Sequence, residues 1–265
     1  MLAELSALGL VVAAGAFGLA RLRRRRLYRA QSGKVADIGR SPPLELRLER
    51  HGTPDFDKAL VKIPDFLPAG VFARLRADIL GLDAQERAHV PIMRRGATAA
   101  YETLIAEVPS VVAYYHSPDL MRFISRVVGA PVEPTPINDQ SSLSILHYDK
   151  PLDHIGWHYD HNFYRGRHFT ALLTILNEGN DKGGLSHAVL TARLDGQAVA
   201  IPTEPNSLVL FEGARVRHKV TPLHTGECRV VLSMTCCTDP RARLWQGIAR
   251  RVKDTAFYGV RALWT

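Results

Sequence analysis

A chain of 265 residues is long enough for one sizeable core plus an appendage. Its 46% hydrophobic and 23% charged content is that of an ordinary globular protein, and three cysteines without CxxC spacing exclude a disulfide scaffold and a cysteine zinc site. The net charge of +8 does not point to nucleic acid: Arg21, Arg23, Arg24, Arg25 and Arg26 carry five of those charges with no interleaved aromatics, and the rest of the chain has an excess of only three (8 − 5 = 3).

Residues 5–20, LSALGLVVAAGAFGLA, are uncharged and mostly apolar. As a helix they cover about 24 Å, and extension to Leu2 and Leu22 approaches the ~30 Å of a bilayer core. Glu4 precedes this run and the arginines follow it, the reverse of a signal peptide. The pattern predicts a single-pass transmembrane helix within residues 1–26, its basic flank and everything after it on the cytoplasmic side. The other reading is a short buried helix followed by a solvated basic face. Residues 27–55, with Gly33 and Ser41-Pro42-Pro43, read as a polar tether, and residues 56–265 as the folded domain.

Val71, Leu75 and Ile79 recur at helical spacing after Pro68, with Gly81 to end that helix. Ser117-Pro118-Asp119 starts a second, whose apolar face is Phe123, Ile124, Val127 and Val128 and whose stop is Gly129. Beyond residue 140 the pattern turns to strands: Leu143, Ile145 and His147 alternate with Ser144, Leu146 and Tyr148. TALLTIL (170–176), SLVLF (207–211) and CRVVLSMTCC (228–237) are apolar enough for buried strands, which makes Cys236 and Cys237 small hydrophobes. Helices first and strands after predict an α+β domain with a double-stranded β-helix, or jelly-roll, core and flanking helices. At the end of the chain Leu244, Ile248 and Val252 recur every four residues beside Arg243, Arg250, Arg251 and Lys253. That helix either packs on the barrel or lays its basic set on an anionic membrane.

The informative stretch is Gly156-Trp157-His158-Tyr159-Asp160-His161. Residues two apart on a strand share a face, so His158 and Asp160 can reach one ion. His218 follows the SLVLF strand, and two imidazoles with one carboxylate form a facial triad that leaves adjacent metal positions open. Arg217 and Lys219, flanking His218, then point to the opposite face. Arg229, eleven residues on, offers a donor fork suited to a carboxylate. His154, His161 and His168 crowd the same region as candidates for loop hydrogen bonds or substrate contact. His147, His187 and His224 carry no assigned role.

His158-x-Asp160, His218 and Arg229 together resemble the Fe(II)/2-oxoglutarate-dependent dioxygenase superfamily, and within it the prolyl-4-hydroxylase-like group. Tyr148 resembles the tyrosine that group keeps near the co-substrate, and LLTILN with Gly183-Gly184 resembles its leucine-rich strand and turn. The resemblance implies Fe(II) on His158, Asp160 and His218, with 2-oxoglutarate held by Arg229 and Tyr148 and O2 as the oxidant. With Asp160 present, no ligand position is left for a halide, so hydroxylation is expected ahead of halogenation, with desaturation and ring formation still open. Thr174 stands where relatives often have a tyrosine, and Leu185-Ser186-His187 departs from the pattern after Gly-Gly, so the substrate side does not carry over. A small-molecule or lipid-like substrate and no nucleic acid are expected. A tethered binding module with the same fold is the alternative from a different class.

Overall fold

The computed structural model describes residues 2–40, 44–83, 86–90, 93–242, 246, 249–250 and 253–255, with the side chains of 2–17, 19–20 and 88–90 left undescribed. Its helices are α1 (Leu2–Ile38), α2 (Ala69–Leu80), α3 (Tyr101–Glu107), α4 (Pro109–Tyr115) and α5 (Pro118–Val128). The strands are β1 (Leu60–Ile63), β2 (Glu86–Val90), β3 (Arg94–Ala99), β4 (Glu133–Pro134), β5 (Leu143–Tyr148), β6 (His154–His158), β7 (His168–Glu178), β8 (Leu190–Leu194), β9 (Gln197–Ile201), β10 (Leu208–Glu212), β11 (His218–Val220) and β12 (Cys228–Cys237).

All pairings are antiparallel, in the order β1-β10-β7-β12-β5-β3-β6-β11-β8-β9, with β2 on β3 and β4 on β12. The sheet curls into a nearly closed, jelly-roll-like barrel with helices on its flank. Strand alternation divides the apolar residues between two cores. Phe169, Ala171 and Leu173 of β7 join the helix-side core with Val71, Leu75, Phe123 and Ile124, whereas Leu172, Val231 and Phe211 belong to the barrel interior. A bulge opposite Val230 and Val231 shifts the β7 register, which lets both Ile175 and Leu176 face the helices. α5 is set by its ends: Ser117 Oγ accepts from Asp119 N, and Gly129 closes the helix at φ 69°. Cys236 and Cys237 are buried, and burial raises both thiols, Cys237 to about 12, which leaves them as packing groups.

The amino-terminal part departs from the tether reading. No proline interrupts the chain before Pro42-Pro43, and α1 continues without a break to Ile38. Val35 and Ile38 pack against the helix-side core, α1 lies against α3 and α4, and Leu46 and Leu48 are fully buried. The packed domain therefore begins ahead of Phe56. The expected anchor, residues 1–26, lies largely outside the residues whose side chains are described; among the described residues no helix is long and apolar enough to cross a membrane.

The carboxyl-terminal segment also differs from a lipid-facing helix. Arg250 is buried, and Lys253 Nζ turns inward to Asp139 Oδ1 at 3.2 Å and Asp254 Oδ1 at 3.0 Å. Tyr164 Oη donates to the other Asp139 oxygen at 2.6 Å. Two of the four cations that a membrane-facing helix would need thus serve the domain interior, as the packing alternative has it. Arg243, Leu244, Ile248, Arg251 and Val252 lie outside the described residues.

Candidate metal centre and co-substrate pocket

His158 ends β6 and His218 opens β11, and the two are paired across the ladder. Each Nδ1 lies against the carbonyl two residues earlier, 2.8 Å to Gly156 O and 3.0 Å to Val216 O. A carbonyl can only accept, so both Nδ1 atoms carry the proton and both Nε2 lone pairs are free. The Nε2 atoms stand 3.5 Å (His158) and 3.7 Å (His218) from Asp160 Oδ1. One ligand atom from each of the three residues falls within 4.8 Å of the others, a span suited to a single divalent ion.

Asp160 lies beyond the end of β6 and is fastened twice. Its N–H donates to Gly213 O at 3.0 Å, and Thr170 Oγ1 donates to Oδ2 at 2.6 Å. Gly213 has no side chain for a steric reason: a Cβ there would lie 2.6 Å from Asp160 Cβ and 2.7 Å from Oδ2. Burial alone would raise the Asp160 carboxyl, but His218, His158 and Thr170 outweigh it and hold the group well below the usual carboxylate range.

The three residues open onto a cavity of about 190 Å³ inside the barrel. Leu146, Leu172, Val231 and Phe211 form its apolar wall, and Arg229 and Tyr148 face each other in register across β12 and β5 at one end. Arg229 is 1% exposed, and its guanidinium sits 5.8 Å from the Tyr148 ring. Its Nη2 donates to Thr203 Oγ1 at 3.3 Å, whereas Nε and Tyr148 Oη are buried with no partner. Burial pushes the Arg229 guanidinium below its ordinary value, as expected for a cation whose counter-charge is a separate molecule. Unpartnered donors beside a His/Asp/His set fit a small dicarboxylate chelated by the same metal. Thr174, where relatives often have a tyrosine, is buried opposite Val231 in the β7–β12 ladder.

All five residues singled out from sequence converge on this cavity. Of the other histidines, His161 and His168 line it, and His168 is buried with Nδ1 unpartnered. His187 and His224 stack at 3.8 Å over Glu227, which accepts from both backbone N–H groups and from His187 Nδ1. Parallel rings cannot both aim in-plane lone pairs at one ion, so this trio ties two loops together. Thr170 and Gly213, which hold Asp160, and Arg94, which lines the cavity, were not marked in the sequence. The one available signal was a threonine on the inward parity of an otherwise apolar strand.

No curated protein sequence matches the chain. Among solved structures, a prolyl-4-hydroxylase from Pseudomonas putida aligns over 70% of this chain and 95% of its own at 19% identity, with a TM-score of 0.53. The non-heme alpha-ketoglutarate-dependent epimerase SnoN of nogalamycin biosynthesis aligns over 72% and 79% at 14% identity and TM-score 0.56. A 2OG-Fe(II) oxygenase family oxidoreductase from Burkholderia pseudomallei aligns over 79% and 94% at 14% identity and TM-score 0.55. At these identities the likeness establishes the fold. A family model described as halogenase D matches residues 51–243, well over half of the chain and inclusive of the His/Asp/His set, Tyr148 and Arg229. By that match the chain belongs to the halogenase D family.

Proposed function

We propose that this chain is an Fe(II)- and 2-oxoglutarate-dependent oxygenase that hydroxylates an unactivated carbon. The observation that carries the reading is the joint one: two Nε2 atoms and a carboxylate oxygen share a cavity with a buried arginine whose Nε, like the Tyr148 hydroxyl, has no partner. His158, Asp160 and His218 would hold the iron, while Arg229 and Tyr148 would hold the distal carboxylate of 2-oxoglutarate. Bound iron and 2-oxoglutarate would supply, with O2, the oxidising power to convert C–H to C–OH with release of succinate and CO2. The protein's own part is to aim the ligands, keep the wall dry and position the substrate. Halogen transfer is the second reading, favoured by the family's description. Against it stands Asp160, whose Oδ1 lies beside both Nε2 atoms and would take the ligand position a halide would need.

The anchor belongs to the same proposal. Residues 1–26 would insert as a single-pass helix with the domain on the cytoplasmic side, where reduced iron and 2-oxoglutarate are at hand. The apolar run followed by arginines supports it. The substrate would be a small or lipid-like molecule, in keeping with the size and apolar wall of the cavity.

The test uses the purified chain in detergent. Anaerobic titration should show 2-oxoglutarate binding that requires ferrous iron, and aerobic incubation should yield succinate. Metabolite pools added with chloride should give a product heavier by one oxygen. A chlorinated product would establish the second reading, and absence of both co-substrate binding and succinate would remove the enzyme reading in favour of a binding module.

A further inference from the structure

The strand alternation that turns His158 and His218 inward turns their neighbours outward. On the outer face of β6, β11 and β8, three cations gather around the half-buried Trp157 ring: Lys219 Nζ at 4.9 Å, Arg193 at 5.5 Å and Arg217 at 5.8 Å from its centroid. Many cations elsewhere on this domain are paired, as in Lys58–Asp195, Lys62–Glu204, Arg87–Asp149, Arg167–Glu212 and Arg241–Asp239, and among the described residues the rest do not converge on a single aromatic ring in this way. None of the three cations around Trp157 has a carboxylate partner among the described residues. Cation–π contact with one indole holds the groups in place but removes none of their mutual repulsion. An anion supplied from outside would.

We infer that this face docks an acidic segment of a partner protein, its carboxylates spread over Arg193, Arg217 and Lys219 with Trp157 as the platform beneath. The site lies on a strand face rather than in a cavity, which suits an extended polyanion better than a single phosphate. One aromatic without a row of neighbours does not suit stacked bases. A membrane is disfavoured by position: α1 lies against α3 and α4, and the helices cover the β5 and β7 side of the barrel, whereas this patch is on the β6–β11–β8 side. The neighbouring strand β9 presents Ala198 and Ala200 opposite Arg193 and Thr191, small side chains that leave the approach open. The inference stands apart from the oxygenase reading, since none of these side chains lines the cavity.

The test is fluorescence anisotropy of a labelled oligo-glutamate peptide with the full chain. Arg193→Glu/Lys219→Glu is compared with Arg74→Glu/Arg122→Glu, which makes the same charge change on the helix side. The arginine run near the amino terminus is common to every form and cancels. Salt-sensitive binding should weaken at least tenfold in the first variant and less than threefold in the second. Arg193→Gln/Lys219→Gln, which removes charge without reversing it, should weaken binding in the same direction and serves if the reversal variant misfolds. Equal losses in the two double variants, or no binding by the parent, would overturn the inference. So would a dependence on Arg193 and Lys219 that appears only with phosphatidylglycerol vesicles or single-stranded DNA and not with the peptide.

Discussion

Thr170 Oγ1 donates a 2.6 Å hydrogen bond to Asp160 Oδ2, which leaves Oδ1 as the carboxylate oxygen that faces both imidazoles. The hydroxyl therefore selects which oxygen is presented and fixes its direction. Thr170→Val keeps shape and removes the donor, so ferrous-iron affinity should fall roughly 10–100-fold, the usual effect of losing a partner of a metal ligand. Gly213→Ala should be harsher, because its Cβ would displace Asp160 itself. Iron titration by equilibrium dialysis, with thermal melts as the control for folding, checks both. An unchanged affinity in Thr170→Val would show that the hydrogen bond does not govern the carboxylate.

Arg229 carries the second prediction. With its Nε unpartnered and its residue 1% exposed, Arg229 is suited to clamp one end of a dicarboxylate. Removing the fork should cost about 3–5 kcal/mol of 2-oxoglutarate binding, since the ligand's carboxylate is left buried and unpaired. Arg229→Gln is the informative variant, because Arg229→Ala also opens a cavity. Arg229→Lys should fall between, retaining the charge without the two-pronged geometry. Calorimetry under anaerobic conditions reads the effect. Iron affinity should move far less than co-substrate affinity, and equal losses of the two would place the clamp elsewhere.

The parts of this molecule that were legible in sequence are those where one local rule decides. α5 was readable because Ser117 and Gly129 cap it, and β7, β10 and β12 because short apolar runs rich in Val, Ile, Thr and Phe and bounded by turn residues suit buried strands. The five residues could be grouped in advance because HxD, a distal histidine and an arginine form a recognisable pattern, and the fold brings them to one cavity. The rest depended on contacts distant in sequence. β3, RRGATA, has no hydrophobic pattern of its own and becomes a strand by bridging β5 and β6. α3 and α4 share a short stretch in which Pro109 ends one helix and starts the next. Gly33 suggested a tether, but helical contacts at Val35 and Ile38 override one glycine. Thr170 and Gly213 could not be connected to Asp160 until β7 and the turn after β10 were seen on either side of it.

That packing of α1 separates two truncations. Deleting residues 1–26 leaves Val35 and Ile38 on the core and should yield a folded domain that still binds 2-oxoglutarate in the presence of iron. Deleting residues 1–40 removes both contacts and should cost on the order of 2–4 kcal/mol of stability. Urea denaturation of the two forms distinguishes them. Equal midpoints would mean that the end of α1 contributes nothing to the domain.

The carboxyl-terminal cluster gives a pH dependence whose sign can be worked out. Asp254 is 1% exposed, and burial, followed by the neighbouring Asp139 carboxylate, pushes it up to about 6 despite Lys253 and Arg250. A carboxyl with a raised folded-state pKa binds its proton more tightly in the native protein than in the unfolded chain. Its favourable contribution is complete below the ordinary carboxylate pKa and is lost as pH rises through about 6. Asp139 runs the other way: burial would raise it, but Lys253, Arg250 and the Tyr164 hydroxyl hold it far down, so its contribution is lost only in strong acid. Between about pH 4 and 6 the Asp254 effect therefore stands alone within this cluster, with a size on the order of 2 kcal/mol. Asp254→Asn cannot ionise and should lack that part of the slope, so its stability at pH 7 should exceed the parent's by a margin that closes as pH approaches 4. Denaturant midpoints measured at half-unit steps for both proteins check the sign. A parent that gains stability relative to Asp254→Asn as pH rises from 4 to 7 would mean that Lys253 and Arg250 more than compensate the ionised carboxylate.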